Sequence, residues 1–423
     1  MRRRFLTVGA VALLAMGTVS FSPTPQASQG PALFSSPSLR IPATQAAVPQ
    51  PGPDDVRYLR SRLVLADAEL LASTPTARGL TFNLFDDVTL EVVFDQVIRR
   101  GRRGHSFIGH VVGEHYSTVL LEQLDAVMVG AVQIPGGRYA LRFAGNGLHS
   151  VHEVNPAAFS YHLDDFIDVA PTGEILQPTP RQARAKRTFV YVGLYTDAAL
   201  EAQGGKKAMK LVARATTTWL AAAFKAQRIK HKIKFKGIKR VKGSDPRDLS
   251  VALNRVTDQT DGEYDEAGSI RDKKKADFVG LYTVGDGTGF GSCGLGWRPF
   301  AYSASNDRFA YHAVREDCNV VGGGKTGAHE WLHNMGGCHP NAAGDSCFNG
   351  PNPTGSAHGF IVTGVLSVGV AHTTLGTGAI CSRCADLLTV SGRKKFKGDK
   401  VKDKVSDIAK LINNGADIYF RYR

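Results

Sequence analysis

His329-Glu-Trp-Leu-His-Asn-Met-Gly-Gly-Cys-His339 sets histidine, glutamate, histidine, glycine and histidine in the order HExxHxxGxxH. On an α-helix, residues four apart share a face, so His329 and His333 present two imidazoles on one side. Gly336 tolerates a positive φ, which lets it end such a helix and turn the chain back sharply. His339 then arrives as a third imidazole. Three neutral imidazoles with a fourth position left open form the donor set of one catalytic zinc ion. Glu330 directly follows the first of them and is placed to act as a general base on water at that ion. Two histidines four apart are more often packing or surface residues. The correctly placed glycine and third histidine turn the string into a candidate metal site.

Working outward, the chain has 423 residues, enough for two ordinary domains, with a folded-protein balance of 43% hydrophobic and 21% charged residues. It opens Met-Arg-Arg-Arg-Phe-Leu, runs apolar from Phe5 to about Phe21 and then becomes rich in Ser, Pro and Gln. That order fits a cleaved export signal over residues 1–27, and its paired arginines resemble a twin-arginine signal. The expected location is therefore secreted, extracellular or periplasmic. No later run approaches the ~20 apolar residues of a membrane-spanning helix. The six cysteines, Cys293, Cys318, Cys338, Cys347, Cys381 and Cys384, all lie in the last third. An even count in an exported chain predicts disulfides, with the pairing left open.

The formal charge is +14, most of it after Thr188. Ile229-Lys-His-Lys-Ile-Lys-Phe-Lys236 alternates apolar and basic residues with a strand's period. It reads first as a solvated strand that resists edge pairing, and secondarily as a surface attracted to anionic envelopes. No nucleic-acid partner is expected. Residues 28–56 read as a flexible lead. Residues 57–170 hold short alternating runs separated by glycine-containing breaks, which predicts an antiparallel β domain. The Pro- and Arg-containing stretch 171–187 reads as an exposed, cleavable linker. Residues 188–423 alternate strands and helices, including a long helix over Ala199–Gln227 and an amphipathic helix from Val405.

With those residues in place, the chain resembles the metzincin zinc metallopeptidases, matching their signature at every fixed position of 329–339. Over about 188–423 it looks like reprolysin-like enzymes, including the bacterial secreted peptidyl-Asp metallopeptidases. Shared features are the opening strand Val190-Tyr-Val-Gly-Leu-Tyr-Thr196, the segment Ile270-Arg-Asp-Lys-Lys-Lys-Ala-Asp-Phe-Val279, and Cys293 and Cys318 before the helix. The resemblance implies an α/β catalytic domain with a twisted five-stranded sheet, an active-site helix and a small C-terminal subdomain, preceded by a β-rich propeptide. It also implies an edge strand within 291–300 that pairs with extended substrate. The sequence departs from the family in three places. The last methionine is Met335, so Leu375 in His372-Thr-Thr-Leu-Gly-Thr377 takes the place of the methionine beneath the metal. Pro340, not aspartate, follows His339. The propeptide has no cysteine, so latency would come from steric blockage of the cleft. His358 and His372 read as structural residues near the cleft.

These features predict an exported zinc endopeptidase, made as a proenzyme, that hydrolyses peptide bonds of protein or peptide substrates with Glu330 as general base. The alternative is a catalytically silent metzincin-fold protein that binds envelope surfaces. The intact Glu330 argues for the enzyme.

Overall fold

The computed structural model describes residues 30–37, 51, 55–76, 78–158, 165–170, 173–177, 186–285, 292–340, 354, 357–363, 369–375, 384–402 and 406–422. The signal segment 1–27, most of the linker, Cys347 and Cys381 lie outside them, as does the side chain of His372.

Eight of the first nine strands follow the short alternating runs of the sequence, and the other, two residues long, falls within the segment 28–56 read as a flexible lead. They are β1 (Phe34–Ser35), β2 (Tyr58–Ala66), β3 (Gly79–Phe85), β4 (Val88–Arg99), β5 (Gly104–Val111), β6 (Thr118–Leu124), β7 (Val127–Ile134), β8 (Gly137–Gly145) and β9 (Leu148–Val154). They form one antiparallel sheet in the order β1-β2-β9-β8-β7-β6-β5-β4-β3. Asn146 and Gly147 between β8 and β9 both have positive φ (51° and 80°), the conformation of a two-residue hairpin that keeps the strand twist. The sheet nearly closes, because the Leu33 amide donates to the Thr81 carbonyl of β3 at 2.9 Å. Its interior is apolar, with Phe82, Val92, Phe94, Phe107 and Leu121 all buried.

A second sheet contains β10 (Phe166–Val169), β11 (Thr188–Tyr195), β12 (Lys232–Arg240), β13 (Phe278–Thr283), β14 (Gly294–Pro299) and β15 (Tyr311–Arg315). Its order is β10-β14-β15-β13-β11-β12. Strand β12 lies at one edge and exposes Lys232, Lys234 and Lys236 while Ile233 and Phe235 turn inward, as the alternation predicts. A small third sheet holds β16 (Ile361–Thr363), β17 (Gly369–His372) and β18 (Ala385–Asp386).

The helices are α1 (Ala68–Ser73), α2 (Asp197–Ala202), α3 (Lys206–Ala226), α4 (Leu249–Thr257), α5 (Glu266–Lys274), α6 (Glu316–Val321), α7 (Lys325–Asn334) and α8 (Ile408–Tyr419). The single helix expected over Ala199–Gln227 is divided into α2 and α3, because Gly204 and Gly205 both take positive φ. Among the described residues, no helix is long and apolar enough to cross a membrane.

The architecture inferred from the resemblance needs correction. The largest layer is the nearly closed nine-stranded antiparallel sheet, not a twisted five-stranded sheet that carries the active-site helix. The second sheet has six strands, because β10 comes from before the linker and adds itself to the edge of β14 in parallel register, Phe166 opposite Gly296 through Val169 opposite Pro299. A sheet edge presents unpaired N–H and C=O groups to any extended segment, and the periodicity of 57–170 carries no sign of which segment that is.

Helix α3 lies between the two large sheets. Ile108 and Leu120 of the first sheet share one core with Trp219 of α3 and with Trp331, Leu332 and Met335 around α7. Buried ion pairs cross the same junction. Arg214 Nε of α3 lies 2.5 Å from Glu122 Oε2 of β6, and Arg142 of β8 lies 3.1 Å from Glu316 of α6. Breaking a buried pair by removing one partner leaves an uncompensated charge, so these contacts fix how the sheets sit against each other.

Candidate metal centre

Helix α7 begins after Gly322-Gly323-Gly324. Gly324 has a φ of 94°, and a Cβ there would run into the backbone of Ala215, so glycine lets α7 approach α3 closely. The helix ends at Gly336, whose φ is 86°. There the Gly336 amide donates to the His333 carbonyl at 2.7 Å and the Gly337 amide to the Leu332 carbonyl at 2.9 Å. This reversal returns His339 to the face of α7 that carries His329 and His333. The turn expected from the sequence is present.

All three imidazoles are fully buried. His329 Nδ1 lies 3.0 Å from the Thr374 carbonyl and His333 Nδ1 lies 2.8 Å from the Gly337 carbonyl. Each Nδ1–H donates to its carbonyl, which leaves the Nε2 lone pair pointing inward. The His358 Nδ1 donates to the carbonyl of His339 at 2.8 Å, so His358 holds the third histidine's backbone rather than joining the cluster. Leu375 is buried beside Gly337 and Gly359 and shares the core of Trp331, Leu332 and Met335. It follows Thr374 directly and forms an apolar floor under the turn.

A fourth donor, Asp165, was not foreseen. Its carboxylate lies 2.8 Å from His339 Nε2, 3.2 Å from His333 Nε2 and 3.3 Å from His329 Nε2. The four donor atoms all fall within 4.8 Å of one another. Burial pushes the His329 imidazole down to about 3 despite the neighbouring carboxylate, and lowers His333 as well. Those two imidazoles are therefore neutral, the form that ligates. With both Nδ1 protons committed to carbonyls, the Nε2 atoms of His329 and His333 are acceptors, and the Nε2 of His339 stands 3.0 Å from that of His329. Converging acceptors around a buried carboxylate suit a cation at their centre. The cluster could hold a metal ion.

Glu330 is fully buried beside the cluster, and neither carboxylate oxygen has a hydrogen-bond partner among the described residues. Burial, and then the charge of Asp165, hold its carboxyl well above the usual range. It lies against β14, where a Cβ at Gly294 would collide with Glu330 Oε1. The Cys293–Cys318 disulfide ties the entry of β14 to α6. Cys338 and Cys384 are also disulfide-bonded.

No protein-family model and no curated protein matches the sequence. Among solved structures, metalloproteinase-II from Bacteroides fragilis is similar at 11% identity and a TM-score of 0.41, covering 68% of this chain and 91% of that one. A chain described as the structure of a chaperone-substrate complex is similar at 17% identity and a TM-score of 0.38, covering 56% of this chain. This chain spans 36% of that chain's length. Both likenesses are distant, and the reading below rests on the site itself.

Proposed function

We propose that this protein is a zinc-dependent endopeptidase, exported through its N-terminal segment and made as a proenzyme. The observation that carries the reading is the convergence of three buried imidazoles beside the buried carboxylate of Glu330, which has no hydrogen-bond partner among the described residues. His329, His333 and His339 would hold the ion. Zinc bound there supplies Lewis-acid polarisation of a scissile carbonyl and brings the pKa of a water toward ~7.

The remaining work falls to the chain. Thr374 and Gly337 lock two of the imidazoles by their carbonyls, so the Nε2 atoms need no reorientation. Glu330 accepts a proton from the attacking water at its carboxylate and returns it to the departing amine. Burial raises that carboxyl above its usual range, which strengthens it as a base. Strand β14 lines the site through Gly294 and Gly296, and its outer edge, taken by β10 in this structure, would offer main-chain pairing to an extended peptide once β10 leaves.

The test is the Glu330→Gln variant, with protein cleaved in the 171–187 linker and freed of its N-terminal part. Zinc content should stay at one ion per chain while casein cleavage falls at least a hundredfold. A chelator should abolish cleavage in the parent protein. Undiminished turnover in the variant, or cleavage that persists under chelation, would sink the assignment.

A further inference from the structure

We propose that the outer edge of β12, the end of α3 and the loop at 393–395 form one docking surface for a linear, base-free phosphodiester polymer. The surface lies on the far edge of the six-stranded sheet from β14 and needs no metal. Residues 225–242 carry nine Lys and Arg and no Asp or Glu. Folding brings a second basic run to them from 167 residues away. The Gln227 Nε2 donates to the Lys394 carbonyl at 2.9 Å, and its Oε1 accepts the Lys394 amide at 3.0 Å. These two bonds set the exposed Arg393-Lys394-Lys395 beside the C-terminal end of α3.

The cations of this surface are not spent on each other's neighbours. Lys232, Lys234 and Lys236 are exposed at alternate positions of β12, about 6.7 Å apart along the strand. Lys225, Arg228 and Lys232 converge on one open cavity of about 440 Å³, whose apolar lining includes Phe224, Ile229 and Ile233. Neighbouring carboxylates are already taken, Asp417 by Arg187 and Arg421, and Asp197 by Arg240. A face that serves only solubility mixes both signs. One sign held over two converging segments instead raises a field that concentrates anions. The edge strand also turns alternate main-chain N–H groups outward, and these donate to phosphate oxygens.

The surroundings select the polymer. Single-stranded nucleic acid binds where exposed rings stack on its bases. The aromatic residue of β12, Phe235, instead packs against the core that contains Trp219 and Trp331. A bilayer surface is held by apolar side chains that enter it. The large exposed apolar residues among those described, Val56, Leu59, Val112, Ile175 and Val251, all lie in other segments. A flexible chain of phosphates asks for neither rings nor apolar anchors, only cations and N–H donors in a row.

The experiment follows binding of the full chain to labelled poly(glycerol phosphate) by fluorescence anisotropy between about 50 and 200 mM salt. With about 0.7 counterions released per neutralised phosphate, Lys225, Arg228, Lys232, Lys234, Lys236 and Lys394 together predict a log–log salt slope of about −4. Lys232→Gln combined with Lys234→Gln and Lys236→Gln should bring the slope to about −2 and weaken binding at least tenfold. Lys206→Gln combined with Lys210→Gln and Lys273→Gln makes the same change in net charge elsewhere and should leave the affinity within twofold. A parent chain that does not bind the polymer would overturn the proposal, whether or not the variants fold. Equal losses in the two triple variants would overturn it in favour of diffuse net charge. Tighter binding to oligo(dT) or to phosphatidylglycerol vesicles than to the polymer would overturn the choice of partner. Binding should be the same with and without a chelator, so failure here leaves the zinc reading intact.

Discussion

Acid should open the nine-stranded sheet, and two histidines set where. His149 accepts a hydrogen bond from the Met128 amide through Nε2 at 3.1 Å, a role open only to a neutral ring. His152 lies between the Ser61 and Ser150 hydroxyls at 2.7 and 2.8 Å and stacks on Tyr58. Burial pushes His149 down to about 4 and, with the Arg142 and Arg57 charges adding to it, His152 down to about 3, from an ordinary 6.5. Below pH 6.5 the unfolded chain takes up a proton at each ring while the folded sheet refuses it. Their contribution is therefore intact above 6.5, falls as pH drops through that value, and levels off only below about 4 for His149 and about 3 for His152. At 1.36 kcal/mol per pKa unit, each histidine costs about 3 kcal/mol at pH 4, about 6 kcal/mol together. That is comparable with the whole stability of an ordinary domain. Urea unfolding of the sheet, followed by circular dichroism between pH 7 and pH 4, measures the loss. His149→Gln and His152→Gln should each remove about one proton from the slope near pH 5. A stability that stays level over that range, or a slope that neither substitution alters, would refute the reasoning.

Other consequences are sharper locally. Gly294→Ala puts a methyl group against Glu330 Oε1, so peptide hydrolysis should fall at least tenfold while zinc content, read by atomic absorption, is unchanged. Glu122→Ala strands the buried Arg214 charge and should cost about 3–5 kcal/mol in chemical denaturation, whereas Glu122→Leu with Arg214→Met should recover most of it. Leu375→Met conserves volume in the floor of the site, so melting should shift by less than about 1.5 kcal/mol and metal affinity should hold.

The clustering of the three histidines is legible in the sequence because their geometry is local. Four residues on a helix and a glycine turn fix where three imidazoles go, whatever surrounds them. The same holds for the short β strands of 57–166 and for the lysine face of β12, where alternation within a strand decides which side is wet. The apolar pattern over 199–227 continues across Gly204 and Gly205, so the sequence alone predicts one helix there. Only their positive φ values divide it. The roles of Thr374 and His358 as backbone holders left no sequence signal, since each acts across tens of residues.

What the sequence by itself determined is the grouping of His329, His333 and His339 with Glu330 beside them, because side-chain chemistry and helical period act over a few residues. What only the tertiary structure decided is what faces those donors. Asp165 meets them across 164 residues, by way of a strand that crosses from one sheet to the edge of another. Edge pairing depends on main-chain N–H and C=O groups, which every residue but proline carries alike. No spacing or composition could mark Asp164 from Asp165, and the register of β10 on β14 alone selects the carboxylate that reaches the histidines.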